Sequence, residues 1–364
     1  MTPQNIKHPE TDDHQVFIGR RALVNKIYAR IGAGRPQSVS IVGDTRIGKS
    51  SLLTFLAHEE TRKQYLSNPD DYIYLYIPCR NIQPVTLENF TRILFSLSEP
   101  YATSREESGH NKFNYNYYKH LVESLHKQGK KIILFLDDFN LITLNPAFPL
   151  EFFSFLRSLA NNYNIAYVTT SYEDLQKLCV SKDIEESPFF NIFTNMSLKG
   201  FEDAELEQFF DQICPNGYSD NPGFRTYLTD LAGRFPYPLQ VACDKLNDAS
   251  GEMVYRNPEA EKQLFEELQD HFQIVWERLE DAHREMLKMI VSEKRVPDVQ
   301  QYLLRDLSKK NYIILNGQTG AKIDGKLFRH FVARRAGLAT MSVEAGKPDG
   351  GVLKWFRRLL GIKT

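Results

Sequence analysis

The sequence has no run of about eighteen apolar residues, which excludes a membrane-spanning helix of ordinary length. Its opening stretch, Met1 to His14, is polar and lacks a signal-peptide core, so the expected location is the cytosol. Cysteine is scarce: Cys79, Cys179, Cys214 and Cys243 form no C-x-x-C pair and stand at no metal spacing from a histidine. This argues against a disulfide scaffold or a zinc site and predicts reduced, partly buried thiols. No period of roughly 30–45 residues repeats, which excludes a repeat array. An excess of one charge is also missing, since 45 Lys+Arg against 46 Asp+Glu leave a net charge of -1.

What is present is an ordinary globular composition over 364 residues, 42% hydrophobic and 25% charged, long enough for two or three domains. The charge is unevenly placed. Between Arg284 and Ala336 twelve Lys/Arg face five acids, and the last thirteen residues add four more positive charges. The basic character therefore sits in the C-terminal quarter.

The clearest motif is Gly43-Asp44-Thr45-Arg46-Ile47-Gly48-Lys49-Ser50, followed by Ser51, which fits G-x-x-x-x-G-K-[ST]. A short apolar strand (Ser38 to Val42) precedes it and a helical run (Ser51 to Ala57) follows. Backbone N–H groups and the positive end of that helix can cradle a polyphosphate. Lys49 is placed to reach the β- and γ-phosphates and Ser50 to hold Mg²⁺, with ATP/ADP as the expected ligands.

Tyr72 to Ile77 reads as a second strand, followed by helices around Leu87 to Leu97 and Tyr115 to Lys127. Lys131 to Leu136 is the most apolar strand and runs into Asp137-Asp138. Such a run belongs in the middle of a parallel sheet, whose strand C-termini are where ligands bind. Asp137 is then a Mg²⁺ ligand, directly or through water, and Asp138 orients or activates the attacking water. A fourth strand, Ile165 to Ser171, ends in hydroxyls. Thr170 and Ser171 are either γ-phosphate sensors or a turn and helix cap. A fifth strand spans Ile192 to Leu198, and the five β/α units predict a doubly wound parallel sheet.

From Phe201 the pattern turns helical around Gly233-Arg234-Phe235-Pro236-Tyr237-Pro238-Leu239-Gln240, which marks a helix start inside a small lid. Pro258 to Asp281 reads as one amphipathic helix. Short helices (Met286 to Val291 and Val299 to Lys309) and an Asn316-Gly317 hairpin then follow in the order of a winged helix. Arg305, Lys309 and Lys310 on its second helix, with Lys322 and Lys326 on the wing, are candidate DNA contacts. After a Gly/Pro linker, residues 352–364 form a basic amphipathic helix. Trp355, Phe356, Leu359 and Leu360 lie on its apolar side and Lys354, Arg357 and Arg358 on the other. This tail suits either peripheral contact with the inner face of a membrane or docking on a partner or the protein's own body.

With these motifs in this order, the chain over Val16 to Ala336 resembles the STAND NTPases and the related archaeal and AAA-like ATPases. Phe17-Ile18-Gly19-Arg20 matches the family's N-terminal arm, and Ser187-Pro188-Phe189-Phe190 its Ser-Pro-hydrophobic stretch. The resemblance implies Gly19 and Arg20 near the nucleotide and Pro236 against the adenine; Arg234 departs from it, standing where a small residue is usual, and is a candidate lid arginine contacting phosphate. It also implies a P-loop ATPase with a five-stranded doubly wound sheet, a helical lid and a C-terminal winged helix. The expected layout is a disordered stretch at 1–15, an ATPase domain at 16–200, a lid at 201–250, a helix plus winged helix at 251–336, a linker at 337–351 and the tail at 352–364. The expected activity is slow or partner-stimulated ATP hydrolysis by a molecular switch with a protein partner or self-assembly. A DNA-binding ATPase of the initiator or loader type is the alternative, with nucleic acid as its partner.

Overall fold

Short runs rich in β-branched and aromatic residues, separated by amphipathic segments, form a five-stranded parallel sheet in the computed structural model, which describes residues 17–101, 115–213, 222–246, 257–316 and 320–338. The N-terminal stretch 1–15, most of the linker and the tail residues Lys354, Trp355, Phe356, Arg357, Arg358, Leu359 and Leu360 lie outside the described residues, as does Gly317. Two units divide the chain, Met1–Gln212 and Ile213–Thr364.

The first unit runs α1 (Arg21–Ile31), β1 (Ser38–Val42), α2 (Lys49–Ala57), α3 (Glu59–Tyr65), β2 (Tyr72–Pro78), α4 (Leu87–Ser98), α5 (Tyr115–Lys127) and β3 (Lys131–Asp137). It continues with the short α6 (Asn140–Thr143), α7 (Leu150–Asn162), β4 (Ile165–Ser171), the short α8 (Lys182–Glu185), β5 (Phe193–Ser197) and α9 (Asp203–Ile213). The strand order is β2-β3-β4-β1-β5. From β1 the chain crosses to the far edge, returns strand by strand to β4, and then lays β5 on the other side of β1. That reversal makes the C-terminal ends of β1 and β4 a topological switch point, where ligands of open α/β sheets bind.

Burial follows the sequence pattern. Every residue of β4 is buried, and so are Ile132 to Asp137 of β3, as central strands covered on both faces require. Helix α7 buries Phe152, Phe153, Leu156 and Leu159 at helical spacing. After Ser187, whose hydroxyl accepts from Phe189 N at 3.3 Å, Phe189 enters the core and packs against Phe153 and Phe139. The Ser-Pro-Phe-Phe stretch is therefore a core anchor at the start of β5.

The second unit comprises α10 (Pro222–Ala232), α11 (Pro236–Leu246), α12 (Pro258–Arg278), α13 (Asp281–Val291), α14 (Gln301–Lys309), the antiparallel hairpin β6 (Ile313–Asn316) and β7 (Gly320–Ile323), and α15 (Lys326–Arg335). Three expectations need correction. The helix expected to run to Asp281 ends at Arg278, because Leu279 is extended (φ -71°, ψ 140°), and α13 starts at Asp281, ahead of the expected Met286. Lys326 is not on the wing but opens α15, since Gly325 (φ 74°) breaks away from the hairpin and starts a helix that buries Leu327, Phe328, Phe331 and Val332. Finally, Cys243 is disulfide-bonded, whereas Cys79 and Cys179 are free thiols. No C-x-x-C spacing announces that bond, because it depends on how the chain folds.

Two glycines in this unit are pressed together. Gly233 (φ 77°) ends α10, and a Cβ on Gly325 would lie 2.8 Å from Gly233 N and 2.9 Å from Ala232 C. Asp324, buried beside them, accepts from Arg234 N at 3.0 Å. Burial raises the Asp324 carboxyl above its usual range, against the lowering effect of that hydrogen bond and of Arg234. Gly325→Ala is expected to destabilise the protein by clearly more than the ~1–2 kcal/mol of left-handed strain alone. Gly129→Ala, also left-handed (φ 78°) but facing open space, should cost only that strain. Urea unfolding of the two variants checks this, and equal losses would show that the joint yields.

Candidate functional site

The motif loop leaves β1 at Gly43, where the chain has almost no room. A Cβ there would lie 2.7 Å from Leu198 O, and Gly43 N donates to Ser171 O at 3.1 Å. Gly43 thus stitches the loop to the end of β4. Ile47 is buried and anchors the loop, while Gly48 (φ 98°) turns it into α2. Arg46 also takes a left-handed conformation (φ 61°), which costs a non-glycine residue about 1–2 kcal/mol. Lys49, only 8% exposed, donates through Nζ to Gly43 O and Asp44 O, each at 2.8 Å. Its charge is held over the loop. Ser50 is exposed in the first turn of α2; Asp44, Thr45 and Ser51 are partly exposed.

Across β4 lie the two acids. Thr170 Oγ1 donates to Asp137 Oδ1 at 2.5 Å and accepts from Asp138 N at 2.8 Å, and Thr170 O accepts from Phe139 N at 2.9 Å. A hydroxyl has one proton and two lone pairs, so the proton of Thr170 is committed to Asp137. Tyr76 OH on β2 donates to Asp137 Oδ2 at 3.2 Å. Burial, and then the Asp137 charge, raises the Tyr76 phenol far above its usual range, so it stays protonated and a donor. Asp138 sits in a left-handed turn (φ 52°), and its Oδ2 pairs with Arg80 Nη2 at 2.8 Å. Cys79, fully buried beside both acids, has its thiol pushed well up by burial first and by the Asp137 and Asp138 charges next, and is an inert neighbour. Ser171 Oγ is spent on Glu173 O at 2.6 Å.

The N-terminal arm is locked onto the start of α9. Arg20 N donates to Glu205 Oε1 at 2.6 Å, Arg20 Nη1 donates to Glu205 Oε2 at 2.9 Å and to Gly200 O at 3.1 Å, and its Cζ stands 4.6 Å from the Phe201 ring centroid. Burial lowers the guanidinium, and Glu205 is the principal opposing charge. Gly19 (φ 67°) faces Glu205 at 2.7 Å from a would-be Cβ. The same Glu205 accepts from Glu202 N at 2.9 Å, capping α9.

In the second unit, Pro236 opens α11, and Arg234 is tied through its backbone to Asp324. Arg305 and Lys309 are exposed on α14, and Lys322 is partly exposed on β7. By contrast, Lys310 pairs with Asp306 at 3.1 Å and Lys326 with Glu261 at 2.5 Å. Val299 and Tyr302 are 82% and 64% exposed, and Tyr302 lies three residues before Arg305 on the same face of α14. No helix among the described residues is long and apolar enough to cross a membrane.

The sheet edge of the first unit thus gathers Gly43, Lys49, Asp137, Asp138, Thr170 and Ser171 along adjoining strand ends. Tyr76, Arg80, Glu205 and Asp324 were not singled out in sequence. Only Glu205 had a local signal, an acid three residues into α9. Among the described residues no group of three or more His, Cys, Asp or Glu could hold a metal. One carboxylate and one serine hydroxyl suit Mg²⁺, which takes most of its ligands from phosphates and water. Asp137 fits this role, because each of its oxygens has one protein donor and keeps lone-pair capacity.

No curated protein matches the chain. Among solved structures it is similar to the Walker-type ATPase paby2304 of Pyrococcus abyssi, at 16% identity over 90% of this chain and 99% of that one, with a TM-score of 0.57. It is also similar to the ORC2 protein of Aeropyrum pernix in its ADPNP-ADP complexes, at 12% identity over 89% and 98%, with a TM-score of 0.52. These likenesses establish a shared P-loop ATPase fold. The family model described as novel STAND NTPase 2 matches residues 33–295, and with the loop and acid strand found at one sheet edge, the chain belongs to that family of STAND P-loop NTPases.

Proposed function

We propose that the protein binds ATP with Mg²⁺, hydrolyses it slowly, and uses the difference between its ATP and ADP states as a molecular switch. The observation that carries this is the Thr170 bridge, which holds Asp137 and Asp138 in fixed relation beside a phosphate loop whose Lys49 is already drawn over it. The ADPNP-ADP complexes of the Aeropyrum neighbour support a nucleotide ligand.

The backbone N–H groups from Asp44 to Ser50 bind and orient the β- and γ-phosphates, and Lys49 moves its charge from the loop carbonyls to those oxygens. Ser50 and Asp137 are the residues that would hold Mg²⁺, which supplies charge neutralisation at the phosphates when bound. Asp138 orients the attacking water and accepts its proton at Oδ2, the atom now paired with Arg80. That ion pair restrains turnover, because the oxygen must leave Arg80 before it can take a proton. Thr170 serves as the holder of the acids rather than as a free sensor. Pro236 and Arg234 form the lid turn, and α13, α14 and the hairpin act as a winged helix for output. Lys310 and Lys326 are paired with acids, and Val299 and, one turn from Arg305, Tyr302 stand exposed. This favours a protein partner for that face over nucleic acid.

Lys49→Ala is expected to weaken ATP binding by at least about tenfold in a calorimetric titration, since one charge-assisted phosphate contact is lost. Undiminished affinity would sink the site. Asp138→Asn should bind ATP normally while phosphate release drops by about 10²-fold or more, the usual contribution of a general base. Arg80→Ala, read in the same assay, should raise basal turnover severalfold at unchanged ATP affinity. A slower variant would mean that Arg80 assists the reaction and does not restrain it.

A further inference from the structure

We propose that Tyr76 is a positioning residue that couples the P-loop helix to Asp137 and sets how that carboxylate meets Mg²⁺; the proposal rests on the Mg²⁺-dependent ATP reading above. Tyr76 lies on β2 opposite Phe135, one same-face step before the Pro78–Asp137 pair, so its phenol leans diagonally across the β2–β3 ladder to Asp137. There it donates to Oδ2 at 3.2 Å while Thr170 donates to Oδ1 at 2.5 Å from the opposite neighbour strand. One hydrogen bond leaves a carboxylate free to turn about its terminal torsion, whereas two from opposite sides fix its plane.

The side chain of Thr54 on α2 neighbours the same phenol, where it opposes the rise that burial and the Asp137 charge impose on it. Thr54 is four residues after Ser50, so the two hydroxyls share a helix face, one turn apart. Tyr76 therefore stands between the helix face that bears Ser50 and Thr54 and the oxygen of Asp137 that Thr170 does not hold, which it grips through its hydroxyl. Tyr76 makes the spacing of the two candidate Mg²⁺-holding side chains a property of the folded sheet. Phenylalanine would fill the same space without the hydroxyl and would leave that spacing unset.

The test measures the affinity of the full chain for ATP by calorimetry, in EDTA and in Mg²⁺, for the wild type, Tyr76→Phe, Thr54→Val and Asp137→Ala. For Tyr76→Phe the affinity in EDTA should stay within about twofold, while the gain conferred by Mg²⁺ should fall by about tenfold, as for other residues that orient a metal ligand. Thr54→Val should lower the gain in the same direction by a smaller factor, and it carries the test alone if Tyr76→Phe does not fold. An unchanged Mg²⁺ gain in Tyr76→Phe, while Asp137→Ala loses it, overturns the role of Tyr76 and leaves the ATPase reading standing. Equal losses in EDTA and Mg²⁺ assign Tyr76 to packing and also overturn it. A wild type that gains nothing from Mg²⁺ overturns the reading and the proposal together.

Discussion

One hydroxyl organises the first unit. Thr170 gives its proton to Asp137 and takes one from the backbone of Asp138, while its carbonyl receives Phe139 N. Three successive residues, the last of β3 and the two that follow it, are therefore held by a single residue of β4. A hydrogen bond to a charged group is worth roughly 1.5–3 kcal/mol net, and the cost of leaving a buried carboxylate oxygen without a partner is larger still. The arrangement exists only because β4 is inserted between β1 and β3, so that the P-loop and the acid strand meet through a shared neighbour instead of directly.

The two acids are adjacent in sequence and treated oppositely. Asp137 is buried and contacted by neutral hydroxyls from strands on both sides. Asp138, turned out by its left-handed backbone, is partly exposed and meets the cation of Arg80. A buried ligand held rigidly and a more exposed group held by a breakable ion pair are the division expected where one carboxylate must stay and the other must act. The Arg80 side chain is itself largely exposed, so this pair is weakly held and screened by solvent.

The N-terminal arm follows the opposite principle. Arg20 is buried, and its guanidinium is held by Glu205, by Gly200 O and by the Phe201 ring. Removing one partner of such a pair leaves an uncompensated charge, which is far more costly than the pair's net worth. The arm resembling that of STAND ATPases is thus pinned to the segment leaving β5, and Gly19 is needed there because any side chain would collide with Glu205.

Periodicity and motif spacing alone determined the five strands, the P-loop, the acid pair and the stripe of α12, because each is a local property of consecutive residues. Ser38–Val42 and Ile165–Ser171 are bounded as expected, and β3 extends one residue further, to Asp137. Local signals misled where a break lies between two good helix formers, as at Leu279, or where a glycine redirects the chain, as at Gly325 before Lys326. Only the tertiary structure decided that Tyr76 and Thr170 grip Asp137, that Arg80 takes Asp138, that Glu205 claims Arg20 and that Asp324 joins the Gly233 turn. These pairs lie far apart along the chain, and strand order brings the first three of them within hydrogen-bonding reach. No window of sequence contains that order, because it follows from how the sheet is wound and not from any single strand.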